Sequence, residues 1–597
     1  MGGVIHQRPP CPLRAQATTR QLFPHTIFSR SKLDPGTIMK RAGVCISVLA
    51  AAVACHSLFF ARLPGARAQS TGSYGSSQQA PATAPPAKPA AYKAEARSAP
   101  SGQGFHPIIP ETWDDLRSFD VPLANLAVSP EEVSWDYYYR TPWRAIYKSY
   151  PVYAPGHEPP GYFDWLKQQE PQVILGIDSD GHSRKPVLST EADWTKIGEL
   201  VFDAPIAYDS AAWATSVVSV ADVRDPAWYA ATRAPVGADG ILPFTRFVIR
   251  KRGVVEIGEQ ACGMCHTRVM PDGSVVKGAQ GNFPFERAAA YRLEKLASQA
   301  ADKDRLIEQA RHFLRSAYSA PWLDPDPAAA LERMSLEELA AALKAISPGV
   351  VARTGSSPLN PISTPDIIGV KGRRFLDHTG LAHQNSIGDL MRYSALNQDM
   401  IALARFGLFI PEGIDGRRLP DPSTRSRYLD EELYALGLFI YSLAPPPNPN
   451  KVDALAERGR QIFEREGCNR CHVPPLYTSN KLTLAEGFTP STDQLKEQDI
   501  LMTSVGTDST LALRTRRGTG FYKVPSLKGL WYRGMFPHDG SCALLEDWFD
   551  PKRLRADYVP TGFKGAGVRT RAVKGHAFGL NLPPEDKQAL IAFLKTL

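Results

Sequence analysis

Two short runs carry the chemistry of this chain: Cys262-Gly263-Met264-Cys265-His266 and Cys468-Asn469-Arg470-Cys471-His472. In C-x-x-C-H the thiols stand about one helical turn apart. That spacing lets them add to the two vinyl groups of one porphyrin, while the adjoining imidazole becomes the proximal iron ligand. Each run therefore predicts one covalently bound haem c, with Cys262, Cys265, Cys468 and Cys471 as the attachment residues and His266 and His472 as metal ligands. The competing chemistries are a redox dithiol at either pair and one four-cysteine zinc site built from both. The histidine that follows each pair at once favours haem.

The elements that must position these residues come next. Ala454 to Pro475 reads as an amphipathic helix delivering Cys468. RGVVEIGEQACGMCH and RGRQIFEREGCNRCH align without a gap from Arg252-Gly253 and Arg458-Gly459. On that alignment RGVVEIGEQ is expected to be the helix presenting the first signature, with FTRFVIRK a short strand leading into it and residues 203–243 an addition. Asp193 is expected to cap a helix through Trp194, Ile197, Val201 and Phe202. Arg287 to Tyr318 reads as one long helix, and Ser335-Leu-Glu-Glu338 as a capping box opening another. DEELYALGLFIYSL closes a first domain, APPPNPN is a hinge, and PPEDKQALIAFLKTL is a final helix. The fold class expected is mainly α: two tandem cytochrome c-like haem domains, a loop-rich N-terminal extension and little β structure.

Composition bounds the rest. With 597 residues and 43% hydrophobic content the chain is globular in character and allows two or three domains. The formal charge of +8 is concentrated before Gln69, so a nucleic-acid partner has no support. Met39-Lys40-Arg41, an apolar run and Ala66-Arg67-Ala68 resemble a signal peptide cleaved near Ala68, which predicts a periplasmic or secreted protein. Membrane association follows only if the leader is retained. Of eight cysteines, three leave with the leader, four are committed to haem and Cys542 stands alone, so no disulfide framework is expected. The boundaries expected are 1–68 leader and signal peptide, 69–104 disordered linker, 105–190 extension, 191–445 first haem domain and 446–597 second haem domain. The aromatics of the extension are read as a wrapping over the haem domains, or else as a substrate channel.

The two C-x-x-C-H runs, then YKVPSLKGLWYRGMFPHDGS and a closing helix, resemble the bacterial di-haem cytochrome c peroxidase superfamily. That group includes the methylamine dehydrogenase maturase and the di-haem rubber oxygenases. The resemblance spans roughly Ala192 to Leu597. It implies an exported oxidoreductase in which haem 1 meets H2O2 or O2 and haem 2 transfers electrons from a small redox protein. A rubber-oxygenase-like dioxygenase of an apolar substrate and a non-catalytic electron-transfer cytochrome are the alternatives. His576 resembles the distal histidine of the oxygenase branch, with Met535 the second candidate for that position. For haem 1 only His378 and His383, in FLDHTGLAHQ, are candidates for a sixth ligand or a proton shuttle. Where the peroxidases carry a bridging tryptophan this chain has Leu376, leaving Trp322, Trp531 or Trp548 to relay electrons. A calcium ion between the domains is the one further cofactor held open.

Overall fold

Four helices frame the molecule as two crossed pairs. In the first pair, a leading helix, Glu191–Asp203, packs on a closing helix, Asp430–Ser442; in the second, Ala454–Arg465 packs on Pro584–Lys595. The computed structural model describes residues 105–109, 123–126, 140–177, 183–184, 188–210, 216–353, 355–397, 405–411, 421 and 426–597. The expected leader, the linker and part of the extension lie outside those residues.

Each crossing is made possible by one glycine. A Cβ added to Gly198 would lie 1.9 Å from the carbonyl oxygen of Ala435, and one added to Gly459 would lie 1.9 Å from that of Ala589. Beside each glycine a phenylalanine pair closes the contact. Phe202 meets Phe439 at 5.2 Å between ring centroids, and Phe463 meets Phe593 at 5.4 Å. Only glycine lets two helix backbones approach this closely while their large neighbours interdigitate. Trp194, Gly198, Val201 and Phe202 are buried on one leading helix, and Ala456, Gly459, Ile462 and Phe463 on the other, the spacing of one apolar stripe.

This pairing corrects the alignment drawn from Arg252-Gly253. RGVVEIGEQ is not a helix: Val254–Glu259 is a strand, antiparallel to Arg246–Lys251, and Arg252-Gly253 is the tight turn between them. Gly253 takes φ +81, the left-handed conformation that a two-residue hairpin loop demands. The leading helix of the first half is the Gly198 helix, and residues 204–261 are inserted between it and Cys262. The insertion builds a four-stranded antiparallel sheet, ordered Ser149–Tyr150, Arg246–Lys251, Val254–Glu259, Ala207–Tyr208. Val152, Trp228, Leu242, Phe247 and Ile257 fill its core together with Met264 of the first signature, so the sheet holds the cysteine turn from behind.

Helix accounts for 36% and strand for 13%, so the fold is mainly α with little sheet, as expected. The long helix expected from Arg287 to Tyr318 is two, Phe285–Gln299 and Lys303–Tyr318, because Asp302 turns its carboxylate onto the amide of Arg305 and restarts the ladder. Asp193 is the third residue of its helix and Thr190 the cap, the two forming a capping box; the box at Ser335 and Glu338 is as read. Described parts of the extension run over the first half, where Leu123, Ile146 and Leu175 join its core, and contribute an edge strand to the inserted sheet. No helix among the described residues is long and apolar enough to cross a membrane.

Candidate cofactor sites

Both signatures fold into the same turn. Cys262–Cys265 is a single helical turn and Cys468–Arg470 a 3-10 turn; His266 N donates to Cys262 O, and His472 N to Cys468 O, each at 2.9 Å. The turn aims each imidazole at a backbone carbonyl across the site. His266 Nδ1 meets Pro365 O at 3.0 Å, and His472 Nδ1 meets Pro525 O and Tyr477 O at 3.1 Å. A carbonyl can only accept, so Nδ1 carries the proton in both rings and Nε2 is left as a lone-pair donor toward the cavity. Burial keeps both rings neutral, His266 down to about 4 and His472 also below its ordinary value. A neutral imidazole with its far nitrogen held by a carbonyl is the form in which histidine binds a metal.

Pro365 and Pro525 occupy equivalent places. From Pro365 to Gly380 and from Pro525 to Gly540 the chain repeats at a constant offset of 160 positions, with Pro, Gly369/Gly529, Arg373/Arg533, His378/His538 and Gly380/Gly540 in common. Both segments fold back alike: Leu376 N donates to Ala382 O, and Phe536 N to Cys542 O. This repeat is the sequence signal that the reading missed, and it places the same positions around each cavity.

The second cavity, about 290 Å³, is lined by Cys468, Cys471, His472, Met535, His538, Trp548 and His576 among others. His576 faces His472 across it with ring centroids 6.4 Å apart. Two imidazoles that each place a nitrogen roughly 2 Å from one metal ion, with each centroid roughly 1.2 Å further back, stand roughly 6.4 Å apart. Nδ1 of His576 is buried with no hydrogen-bond partner among the described residues, and burial together with His472 and Arg553 takes the ring down to about 3. Arg553, itself fully buried, holds the His576 loop through bonds to Trp548 O, Val573 O, Gly575 O and His576 O. Met535 lines the same cavity but packs toward the cluster of the Phe285–Gln299 and Lys303–Tyr318 helices. His538 stacks on Tyr522 at 4.6 Å.

The first cavity, about 160 Å³, is lined by Cys262, Cys265, His266, Arg353, Leu376, Asp377, His378, Tyr393, Asn397 and Arg517 among others. Three residues, Thr364, Pro365 and His378, line both cavities. His378 Nε2 is engaged at 2.7 Å by Ser363 O, which leaves it unable to serve a metal through that nitrogen. His383 lies against the Phe375 ring, 5.0 Å away, and lines neither cavity. Of the described tryptophans, only Trp548 lines either of these cavities; Trp322 stacks on Phe406 and Trp531 meets Tyr532. No described residue of 105–190 lines either cavity, so the described aromatics of the extension form no channel there.

The donor set suits a porphyrin better than its competitors. The two cysteine pairs line separate cavities, and among the described residues no cluster of three or more His, Cys, Asp or Glu could hold a metal ion, which removes the four-cysteine zinc site. Burial pushes the Cys468 thiol up to about 11 and raises those of Cys265 and Cys471. A redox dithiol needs the opposite shift. Charge agrees too: Arg373, Arg533 and Lys523 line the second cavity against Asp366, and Arg353 and Arg517 line the first against Asp377, an excess of cations that two propionates would meet. The second cavity approaches the roughly 300 Å³ at which ligand pockets begin. The first is smaller, so its walls must part to admit the ring.

No family model and no curated protein matches this chain. Among solved structures, hydrazine synthase of Kuenenia stuttgartiensis, pressurized with 20 bar xenon, is 15% identical over 52% of this chain and 92% of that chain, with a TM-score of 0.26. A MauG-like protein associated with microbial copper homeostasis is 16% identical over 50% of this chain and 90% of that one, also at 0.26. Both likenesses are weak.

Proposed function

We propose that this chain is an exported di-haem c-type oxidoreductase with unequal sites. Cys262 and Cys265 would anchor one haem on His266, and Cys468 and Cys471 the other on His472 and His576. Bound there, haem supplies one-electron and oxygen chemistry. The observation that carries the reading is the His472–His576 pair, closed over the second cavity at 6.4 Å. A six-coordinate metal held between two imidazoles reorganises little on reduction and suits electron transfer. Among the described residues lining the first cavity, His378 is the one histidine besides His266, and its Nε2 is bonded to Ser363 O. That supports an open face in the first half, where Tyr393, Asn397, Arg353 and Arg517 offer polar groups to a small oxidant. H2O2 or O2 is the oxidant class and a small redox protein the electron donor.

The test is an intact mass and a spectrum of the mature protein made with a cytochrome c maturation system. Two haem additions, one low-spin ferric site, one high-spin site and carbon monoxide binding after reduction are expected. A polypeptide carrying no haem rejects the reading. Two low-spin sites that ignore carbon monoxide leave a non-catalytic carrier, and oxygen uptake with a polyisoprene in place of peroxide turnover selects the dioxygenase.

A further inference from the structure

We infer that one bonded path through His378 carries electrons between the two proximal imidazoles. The inference rests on the two-haem reading above and adds the route. Four hydrogen bonds and two short backbone runs make it continuous. His266 Nδ1–H donates to Pro365 O at 3.0 Å. Two residues back along the chain, Ser363 O accepts from His378 Nε2–H at 2.7 Å. The carbonyl of His378 accepts the amide of Lys523 at 3.0 Å, and that strand runs through Val524 to Pro525, whose carbonyl accepts His472 Nδ1–H at 3.1 Å. Only the bond from Lys523 N to His378 O crosses between the halves, so His378 is the residue at which this path passes from one to the other.

Electronic coupling falls off far less along covalent and hydrogen bonds than across an open gap, so an unbroken bonded chain outcompetes a direct jump of equal length. A tryptophan offers no substitute: among the described residues none lines both cavities, and Leu376 lines only the first. Burial and the Lys523 ammonium keep the His378 ring neutral, and its carbonyl partner fixes the Nε2–H tautomer, so this link does not open with pH near neutrality. The mirror-image contact, Ser363 N to His538 O at 2.7 Å, leads instead to the His538 ring stacked on Tyr522, a longer way to His472. The step moves one electron and no atom. The His472 side is oxidised by one unit, the His266 side is reduced by one, and the donor protein restores the former while H2O2 or O2 drains the latter.

The experiment uses the mature two-haem protein with carbon monoxide bound in the half-reduced state. The ligand is flashed off and inter-site electron transfer is followed optically. His378→Phe keeps the ring's bulk but loses the bond to Ser363, and slowing by about tenfold is expected, equivalent to about 1.4 kcal/mol on the barrier. His378→Gln, whose amide can donate to the same carbonyl, restores most of the rate. His378→Asn, too short to reach, is the second slow variant should the phenylalanine form fail to assemble. Haem content and both midpoint potentials are measured alongside and should not move. Wild-type rates in His378→Phe or His378→Asn with unchanged potentials overturn the route alone, whereas protein lacking two haems overturns the functional reading beneath it.

Discussion

Ser363 and Lys523 make the same hydrogen bond in opposite directions across the molecule: the amide of Ser363 donates to His538 O at 2.7 Å, and that of Lys523 to His378 O at 3.0 Å. Ser363 and Lys523 stand 160 positions apart, as do the repeat partners His378 and His538, so the two halves exchange equivalent bonds about a pseudo-two-fold. Each exchange lies two residues from the carbonyl that orients the adjacent signature histidine, at Pro365 and Pro525. The symmetry therefore sets both the docking of the halves and the aim of the rings His266 and His472. At the second cavity the symmetry is broken by His576, which faces His472.

Replacing His576 by alanine should free one face of the second site and leave the first unaffected. The absorption spectrum of the oxidised protein is expected to gain a second high-spin component, and carbon monoxide uptake after reduction to double. A spectrum identical to wild type would place the sixth ligand elsewhere, with Met535 the next residue to replace.

Arg553 secures that loop with four main-chain carbonyls and the Trp548 ring, 4.2 Å away, and with no carboxylate partner among the described residues. His576 itself takes φ 47, so its position depends on these bonds rather than on local preference. Arg553→Met should cost about 2–3 kcal/mol, since buried carbonyls lose charged donors. It should also convert part of the second site to high spin; Arg553→Lys, keeping the charge but not the fork, is expected to recover little. Denaturant midpoints and the low-spin fraction read the two effects separately.

The crossing glycines give a stability test of the duplicated fold. An alanine at Gly198 or Gly459 places a methyl carbon inside the carbonyl of Ala435 or Ala589, and the obstacle is backbone. Each substitution should lower unfolding free energy by about 1–3 kcal/mol or more as the helices are forced apart. Equal losses at the two positions, measured by chemical denaturation, are the signature of equivalent crossings. A neutral result at Gly198 would break the equivalence.

That pair also shows where the sequence was legible. The C-x-x-C-H turns announce themselves because covalent chemistry fixes every spacing within them, and the closing helices are continuous apolar stripes with acidic first turns. The first leading helix was hidden because residues 204–261 separate it from its signature, and Val254–Glu259 then offered an Arg-Gly pair at the right distance. Spacing alone could not reject it. The shared Gly-x-x-Val/Ile-Phe of Gly198 to Phe202 and Gly459 to Phe463 could have, since it states the packing requirement directly. His378 and His383 differ in the same way: they are five residues apart on one loop, and only the fold shows that one reaches the junction of both cavities while the other rests on Phe375.

Glu286 supplies a pH dependence with a definite sign. Its carboxyl is buried beneath the first signature, accepts one bond from Ala352 N at 2.6 Å, and is pushed by burial up to about 7. The unfolded chain titrates near 4.3. A folded value above the unfolded one means the folded state holds the proton more tightly, so the advantage is complete below about pH 4 and is lost as pH rises through about 7. Glu286→Gln keeps the acceptor for Ala352 and cannot ionise. Its stability relative to wild type should rise between pH 5 and pH 8, by at most about 3 kcal/mol. Denaturation of the two proteins at both pH values checks the sign, and a difference that stays constant between them would mean that Glu286 ionises in the folded chain as readily as in the unfolded one.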